Sequence, residues 1–337
     1  MTRLIPHLPR HDHDHRPRHR RLRSLAFVPT LMTLGNLICG FAAIHFALRA
    51  MYDFGAGVSF EQFASVPLRH NVFERMLPSF LSVGAFLILL GMVLDAFDGL
   101  IARVTRSTTT FGGQLDSLAD VVTFGVAPAT LMVAFMTKEL AGDSIVPSPI
   151  SEHALGRLTW VAAAIYVAFT AVRLARFNVE HAEADFDHRI FRGLPSPGAA
   201  SILVALIVFQ DQQIFPMART LLVYATPAIA AAVALLMVSR IPYKRFHRAY
   251  LLGRQPFGQV LLILLVFAAF WSYKAPTLLV ITLWYGLSGP IFFLSRMLRE
   301  RRLAATTAAP PFAKEGLGGV RSQADSGSPP SEKGRAV

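Results

Sequence analysis

The sequence predicts an all-α polytopic membrane protein, and three observations lead there. Hydrophobic residues make up 53% of the 337, and charged residues only 16%, against about 25% in soluble domains. Apolar stretches long enough to cross a bilayer recur along the chain. The remaining charge is strongly basic, 33 Lys+Arg against 21 Asp+Glu for a formal net charge of +12, and it collects in the tails and alternate connections. A nucleic-acid binder would hardly be this apolar, and a chain disordered throughout could not be. The single cysteine, Cys39, excludes a disulfide scaffold and reads as a small packing residue.

The tails differ from the middle. Residues 1–24 hold seven arginines, five histidines and two acids, and residues 303–337 are rich in Ala, Gly, Pro and Ser. Both are predicted to be disordered. The alternation His11-Asp12-His13-Asp14-His15 has the donors for a transition metal, but reads more simply as an exposed tail. The apolar segment that follows is about twenty residues long, contains Asn36 and has no small-residue cleavage site after it. It is read as a retained helix rather than a signal peptide. Eight spans are predicted, with six or seven as the alternatives, near Phe27–Leu48, Pro78–Ile101, Gly113–Thr137, Leu158–Ala175, Ala199–Phe209, Leu221–Val238, Val260–Tyr273 and Thr277–Leu294. The fifth and seventh are short and are expected to extend at each end.

Basic residues test this arrangement, because they concentrate in short cytosolic loops. With both termini inside, the inner segments hold the N-terminal arginines; Arg103 and Arg106; Arg173, Arg176, Arg189 and Arg192; Arg240, Lys244, Arg245, Arg248 and Arg254; and the Arg296–Arg302 cluster. The outer loops hold very few. An even number of crossings with cytosolic termini is expected, with most of these side chains setting topology and meeting anionic headgroups.

Topology does not explain the acids at the inner ends of the second and third spans. Asp95 and Asp98 are three residues apart, and Asp116 and Asp120 four apart, so each pair shares one face of its helix. A short turn from Thr105 to Phe111 predicts antiparallel neighbours whose four carboxylates converge. An ionised Asp within a membrane helix costs about 2.5–3.5 kcal/mol, and four together repel one another. Two divalent cations would balance them, and hard oxygen ligands suit Mg2+ or Mn2+. A paired-metal site suits chemistry at phosphorus. Gly99 follows Asp98, Gly112 precedes Asp116 by one turn, and Arg103 can set its fork on phosphate oxygens. Together they predict a nucleotide-diphosphate pocket.

The run Asp95-x-x-Asp98-Gly99-x-x-Ala102-Arg103, eight residues, Gly112-x-x-x-Asp116-x-x-x-Asp120 resembles, without departure, the signature of the CDP-alcohol phosphotransferase family. Further runs resemble its phosphatidylserine synthase branch: Thr33-Leu-Gly-Asn36-Leu-Ile-Cys-Gly40, Asp116 to Pro128, Arg173-Leu-Ala-Arg176-Phe-Asn178 and Phe191 to Pro197. The resemblance covers about residues 27–245 and implies a six-helix core over 25–245. Beyond it lie an additional helix pair over 246–302 and the tail 303–337, about eight helices in total. It implies transfer of the phosphatidyl group of CDP-diacylglycerol to L-serine, with glycerol 3-phosphate, inositol phosphate or choline as alternative acceptors, and a homodimer. By the same resemblance Asp95, Asp98, Asp116 and Asp120 coordinate two metal ions, with Asp120 also the general base. Gly99, Ala102, Arg103 and Gly112 line the donor site, and Thr109, Thr33 and Asn36 contact the donor; Asn36 also reads as an interhelical hydrogen-bonding residue.

A serine acceptor needs a cation for its carboxylate. Arg176 or Arg192 is expected to supply it, with Arg173, Lys244, Asn178 and Ser196 nearby. Direct displacement and a covalent intermediate both fit these parts. The general type points to a bacterial inner membrane with the site facing the cytosol. A transporter is the competing reading, since intramembrane acids also line ion pathways. Against it, the aspartate motif has no second copy, and the acids lie at one membrane face rather than at mid-depth.

Overall fold

The structure, a computed structural model, describes residues 27–56, 77–105, 110–141, 145–182, 190–212, 216–244 and 274–307. Its helices are α1 (Phe27–Ala56), α2 (Phe80–Thr105), α3 (Thr110–Asp120), α4 (Ala127–Leu140), α5 (Ala154–Ala182), α6 (Ser196–Asp211), α7 (Pro216–Val238) and α8 (Lys274–Thr307). A π-helical segment, Val121–Val126, fuses α3 and α4 into one rod. Two short strands, β1 (Ile190–Arg192) and β2 (Pro242–Lys244), pair antiparallel with Phe191 opposite Tyr243.

Six helical stretches among the described residues are long and apolar enough to cross a membrane: Val28–Tyr52, Phe80–Ile101, Phe111–Leu140, Ala154–Val179, Thr220–Val238 and Ala275–Arg301. The chain is an integral membrane protein of helical class. The expected fifth span is α6, with 16 residues. At 1.5 Å per residue it reaches about 24 Å, short of a hydrocarbon core of about 30 Å. Its packing accounts for its length: Ala199, Ala200, Leu203, Val204, Ala205 and Ile207 are wholly buried, so α6 is enclosed by protein and need not match the lipid. The expected span Val260–Tyr273 and the tail 1–24 lie outside the described residues, as does the second tail beyond Thr307. Residues 303–307, expected to be disordered, instead continue α8. Beyond Pro290 that helix is a unit by itself; its side chains from Ile291 to Arg301 are exposed, and Arg296 pairs with Glu300 at 2.8 Å.

Polar groups inside the spans are satisfied locally, as a lipid solvent demands. The hydroxyls of Thr130, Thr137, Thr159 and Thr170 each donate to the carbonyl four residues back. One end of the first unit is closed by a charged knot. Lys138 Nζ lies 2.7 Å from Asp211 Oδ1, while the hydroxyls of Ser79 and Ser82 donate to Asp211 Oδ2. These residues begin α2 and end α4 and α6, so the knot ties three helices together at the end away from the aspartate motif.

At the opposite end the chain turns through the ribbon. Gly193 follows β1 with φ 85° and donates its N–H to Ile241 O at 2.9 Å, and a Cβ there would strike the carbonyl of Met237. Only glycine meets both conditions. In β2, Tyr243 donates its hydroxyl to Gly286 O of α8 at 2.9 Å. Burial and the neighbouring Tyr285 push the Tyr243 phenol up to about 12, so it stays a donor at any working pH.

The π segment has a readable cause. Pro128 has no N–H to give to the carbonyl of Phe124, four residues back. Tyr166 of α5 supplies the donor instead, at 3.0 Å, and the N–H of Ala127 bonds to Val122 O, five residues back. Tyr166→Phe leaves a buried carbonyl unpaired. The expected cost is about 1–2 kcal/mol, read as a lower melting temperature of the detergent-solubilised protein, with an unchanged value overturning this account.

Candidate active site

The four aspartates come from two helices, α2 ending and α3 beginning at the same side. Asp95 and Asp98 sit in the last turns of α2, and Asp116 and Asp120 lie one turn apart at the end of α3. Carboxylate oxygens of Asp95, Asp98 and Asp116 all lie within 4.8 Å of one another. Asp98 and Asp120 are buried; Asp95 and Asp116 are partly so.

The expected neighbourhood of the second and third spans is seen, with α2 packing on α4 and the π segment of the rod. α3 itself barely touches α2, whereas α1 packs on α2 along its length and also on α3 and the π segment. Phe97 and Leu100 on α2 and Phe111 and Leu118 on α3 are exposed near the motif.

α1 reaches both acid-bearing helices through one turn. Thr33 Oγ1 donates to Asp98 Oδ2 at 2.6 Å, and Asn36 Nδ2 donates to Asp120 Oδ1 at 3.3 Å. Thr123 Oγ1 of the π segment donates to Asn36 O at 2.9 Å. This close approach depends on Gly40 and Gly91, because a Cβ on Gly91 would lie 2.8 Å from Asn36 Oδ1 and one on Gly40 would lie 2.8 Å from Thr123 Cα.

α5 and α6 complete the surroundings. Arg173 is partly buried, near enough to Asp120 and Asp95 to interact with their charges, and its Nη1 donates to Ser196 Oγ at 2.7 Å. Asn178 Nδ2 donates to Ser117 Oγ at 2.9 Å, which ties α5 to the residue after Asp116. Sequence reading had placed Arg173, Asn178 and Ser196 only in the vicinity. Arg176 lies one turn beyond Arg173 and is partly buried, and Gly99 and Gly112 are partly buried beside the motif. Ala102 and Arg103 continue the backbone of α2 and Arg192 that of β1, with side chains outside the described set; Thr109 lies outside the described residues.

The donor set fits hard divalent cations. Three carboxylates converge, no Lys or Arg forms an ion pair with any of the four aspartates among the described residues, and Asp116 Oδ1 is buried with no hydrogen-bond partner there. An all-oxygen site with an orphaned ligand atom is what Mg2+ or Mn2+ requires.

Residues 26–238 match the CDP-alcohol phosphatidyltransferase family. The chain belongs to that family. Among similar members, a Helicobacter pylori (strain ATCC 700392 / 26695) protein named CDP-diacylglycerol–serine O-phosphatidyltransferase is 31% identical over 166 residues, 49% of this chain and 62% of its own length. A Bacillus subtilis (strain 168) protein of that name is 29% identical over 222 residues, 66% of this chain and 92% of its own. A third, from Mycobacterium tuberculosis (strain CDC 1551 / Oshkosh), is 27% identical over 268 residues, 79% of this chain and 77% of its own. The match spans less than two thirds of the Helicobacter relative. The aspartate cluster of this CDP-alcohol phosphatidyltransferase family member falls inside the matched segment.

Proposed function

We propose that the protein transfers the phosphatidyl group of CDP-diacylglycerol to the hydroxyl of L-serine, giving phosphatidylserine and CMP. The observation that carries this reading is the convergence of Asp95, Asp98 and Asp116 at one end of the bundle in a chain of this family. The names of the relatives favour serine over other alcohols.

Asp95, Asp98 and Asp116 would hold two divalent cations, Mg2+ or Mn2+, with Asp120 completing the set. When bound, such ions neutralise a pyrophosphate and polarise its phosphorus. The serine Oγ forms a bond to the β-phosphorus carrying the diacylglycerol, the bond from that phosphorus to the CMP oxygen breaks, and its electron pair leaves with CMP. A protonated hydroxyl is a poor nucleophile; Asp120, held by Asn36 one turn from Asp116, takes the Oγ proton. Gly99, Ala102, Arg103 and Gly112 line the donor side, with Thr109 on the connecting turn. The fatty chains stay in the bilayer and enter laterally between helices.

Arg173 is our choice for the serine carboxylate, ahead of Arg176 and Arg192, because its guanidinium lies near the aspartates and Ser196 aligns it. Arg173→Lys keeps the charge but loses the fork. The expected result is a KM for serine raised about 10- to 100-fold with the KM for CDP-diacylglycerol little changed. An unchanged serine KM in a folded variant removes Arg173 from this role, and alanine variants of Arg176 and Arg192 in the same assay identify its replacement.

The site end is assigned to the cytosol, where serine and the CDP-linked lipid are both available, and the membrane to a bacterial inner membrane. α7 delivers the chain to the ribbon, and α8 runs the same way: Gly286 lies beside Ile202 of α6 and Gly289 beside Tyr243. Parallel α7 and α8 support an even total of eight crossings with both termini inside. The matched segment, residues 26–238, supports a core of about 25–245; a helix pair over 246–302 after it and flanking tails, 1–24 and the residues beyond Thr307, complete the proposed organisation. A homodimer is the proposed assembly. The deciding experiment supplies serine, glycerol 3-phosphate, inositol phosphate and choline in turn to the purified protein with CDP-diacylglycerol and Mn2+ or Mg2+. CMP release with a serine-dependent product of phosphatidylserine mass supports the proposal, another lipid product reassigns the acceptor, and no CMP with any acceptor overturns the enzyme reading.

A further inference from the structure

Thr33 and Asn36 are one turn apart on α1 and buried, with 4% and 0% of their surface exposed. Each is committed to a different aspartate, Thr33 to Asp98 of α2 and Asn36 to Asp120 of α3. We propose that these two side chains are positioning residues for the cation-binding carboxylates, in place of the direct donor contacts that the family resemblance implies. The proposal rests on the metal reading given above.

Three features favour it. The Thr33 hydroxyl has one proton and two acceptors within reach, Pro29 O at 3.0 Å and Asp98 Oδ2 at 2.6 Å. The carboxylate is the nearer and, being charged, the stronger acceptor. A hydroxyl so engaged fixes which oxygen of Asp98 turns towards Asp95 and Asp116 and leaves that oxygen as the free ligand. The Asn36 amide is oriented in the same way. Its Nδ2 faces Asp120 Oδ1, while its Oδ1 is buried without a hydrogen-bond partner among the described residues, against the bare backbone of Gly91. Reversing the amide would set oxygen against oxygen at Asp120, so Asn36 holds one direction even at the expense of an unsatisfied atom. Finally, α2 and α3 barely pack on each other. α2 packs on the rod through α4 and the π segment rather than through α3, and beside the aspartates it is the α1 turn carrying Thr33 and Asn36 that bonds to both helices.

Outer-layer partners of metal ligands typically change metal affinity or activity by about 10- to 100-fold. The test measures Mn2+ binding to the purified full chain without lipid substrate, by electron paramagnetic resonance of free Mn2+, and separately the KM for CDP-diacylglycerol at saturating Mn2+. Thr33→Val and Asn36→Leu are expected to weaken Mn2+ binding about 10- to 100-fold and to leave the donor KM within about twofold, while Thr33→Ser, which keeps the hydroxyl, binds Mn2+ as the parent does. If Thr33→Val is not recovered folded, Thr33→Cys, of similar size with a weak donor, is expected to fall between Ser and parent on one side and the full loss on the other. Parent-like Mn2+ binding in the variants with a raised donor KM overturns the proposal and returns both residues to donor contact. Absence of Mn2+ binding by the parent protein overturns the metal reading and this inference with it.

Discussion

Asp98→Asn and Asp116→Asn are each expected to slow CMP release from CDP-diacylglycerol by about a thousandfold, with the protein still folded. Asparagine keeps the shape and one oxygen of the side chain but removes the charge. A cation lost or misplaced at a phosphoryl centre forfeits several kcal/mol of charge stabilisation, and about 4 kcal/mol corresponds to a thousandfold. The two positions differ in a second respect. Asp98 accepts from Thr33, a bond the amide oxygen of asparagine can still accept, so its packing survives. Asp116 Oδ1 is buried without a hydrogen-bond partner among the described residues, so replacing the carboxylate removes a ligand without breaking a hydrogen bond at that oxygen. Measured without divalent metal, both variants are therefore expected to melt no lower than the parent protein, and Asp116→Asn to melt higher, because mutual repulsion among the carboxylates is relieved. Single-turnover CMP release together with a melting curve checks both halves. Near-parental rates in either variant would remove that residue from the cation site.

Gly40→Ala is expected to be the most damaging single methyl among the described glycines beside the aspartates. Its Cβ would lie 2.8 Å from Thr123 Cα and closer still to the Thr123 hydroxyl oxygen. A flexible side chain can swing away, but the backbone of a buried π segment cannot, so α1 must move off the α3–α4 rod. Overpacking of this kind costs about 1–3 kcal/mol, and the backbone contact puts Gly40 at the upper end. Because the same stretch of α1 carries Thr33 and Asn36, the displacement also reaches Asp98 and Asp120, and activity per folded molecule falls with stability. Gly113→Ala is the matched control. Nothing lies within 4 Å of its added Cβ, so it is expected to keep stability or raise it by up to about 1 kcal/mol, the helix propensity difference. Equal melting temperatures for the two variants would contradict the close approach at Gly40.

What the sequence made legible follows from which signals are local. The aspartate pairs were readable because helical period alone puts residues three and four apart on one face, and the connection from Thr105 to Thr110 is short. Span positions were readable from apolar length. The π segment was not, because its stability depends on Tyr166, forty-two residues away, giving a proton to Phe124 O. Nor was the enclosure of α6: inside a bilayer, lipid-facing and protein-facing positions are equally apolar, so no alternation marks the central helix. The ribbon of β1 and β2 is too short to show a period. Arg173 was visible as one of several inner-face arginines, and only the fold distinguishes it, since its place beside the carboxylates is set by how α5 packs and by Ser196 on another helix.

The order of the chain gives the aspartate hairpin a history as well as a geometry. Asp95 to Asp120 are made and inserted before α5 exists, so the ribosome delivers four acids to the membrane well ahead of Arg173, the cation that stands beside them in the finished protein. At about 2.5–3.5 kcal/mol for each ionised carboxylate at mid-membrane, the nascent hairpin sits most cheaply with its acidic end at the headgroup boundary, within reach of ions and protons from the compartment of synthesis. With the site end at the cytosol and cations on the four aspartates, as proposed above, insertion favours the orientation the reaction needs, and metal availability during biogenesis, not only during turnover, becomes a determinant of how much active protein a cell obtains.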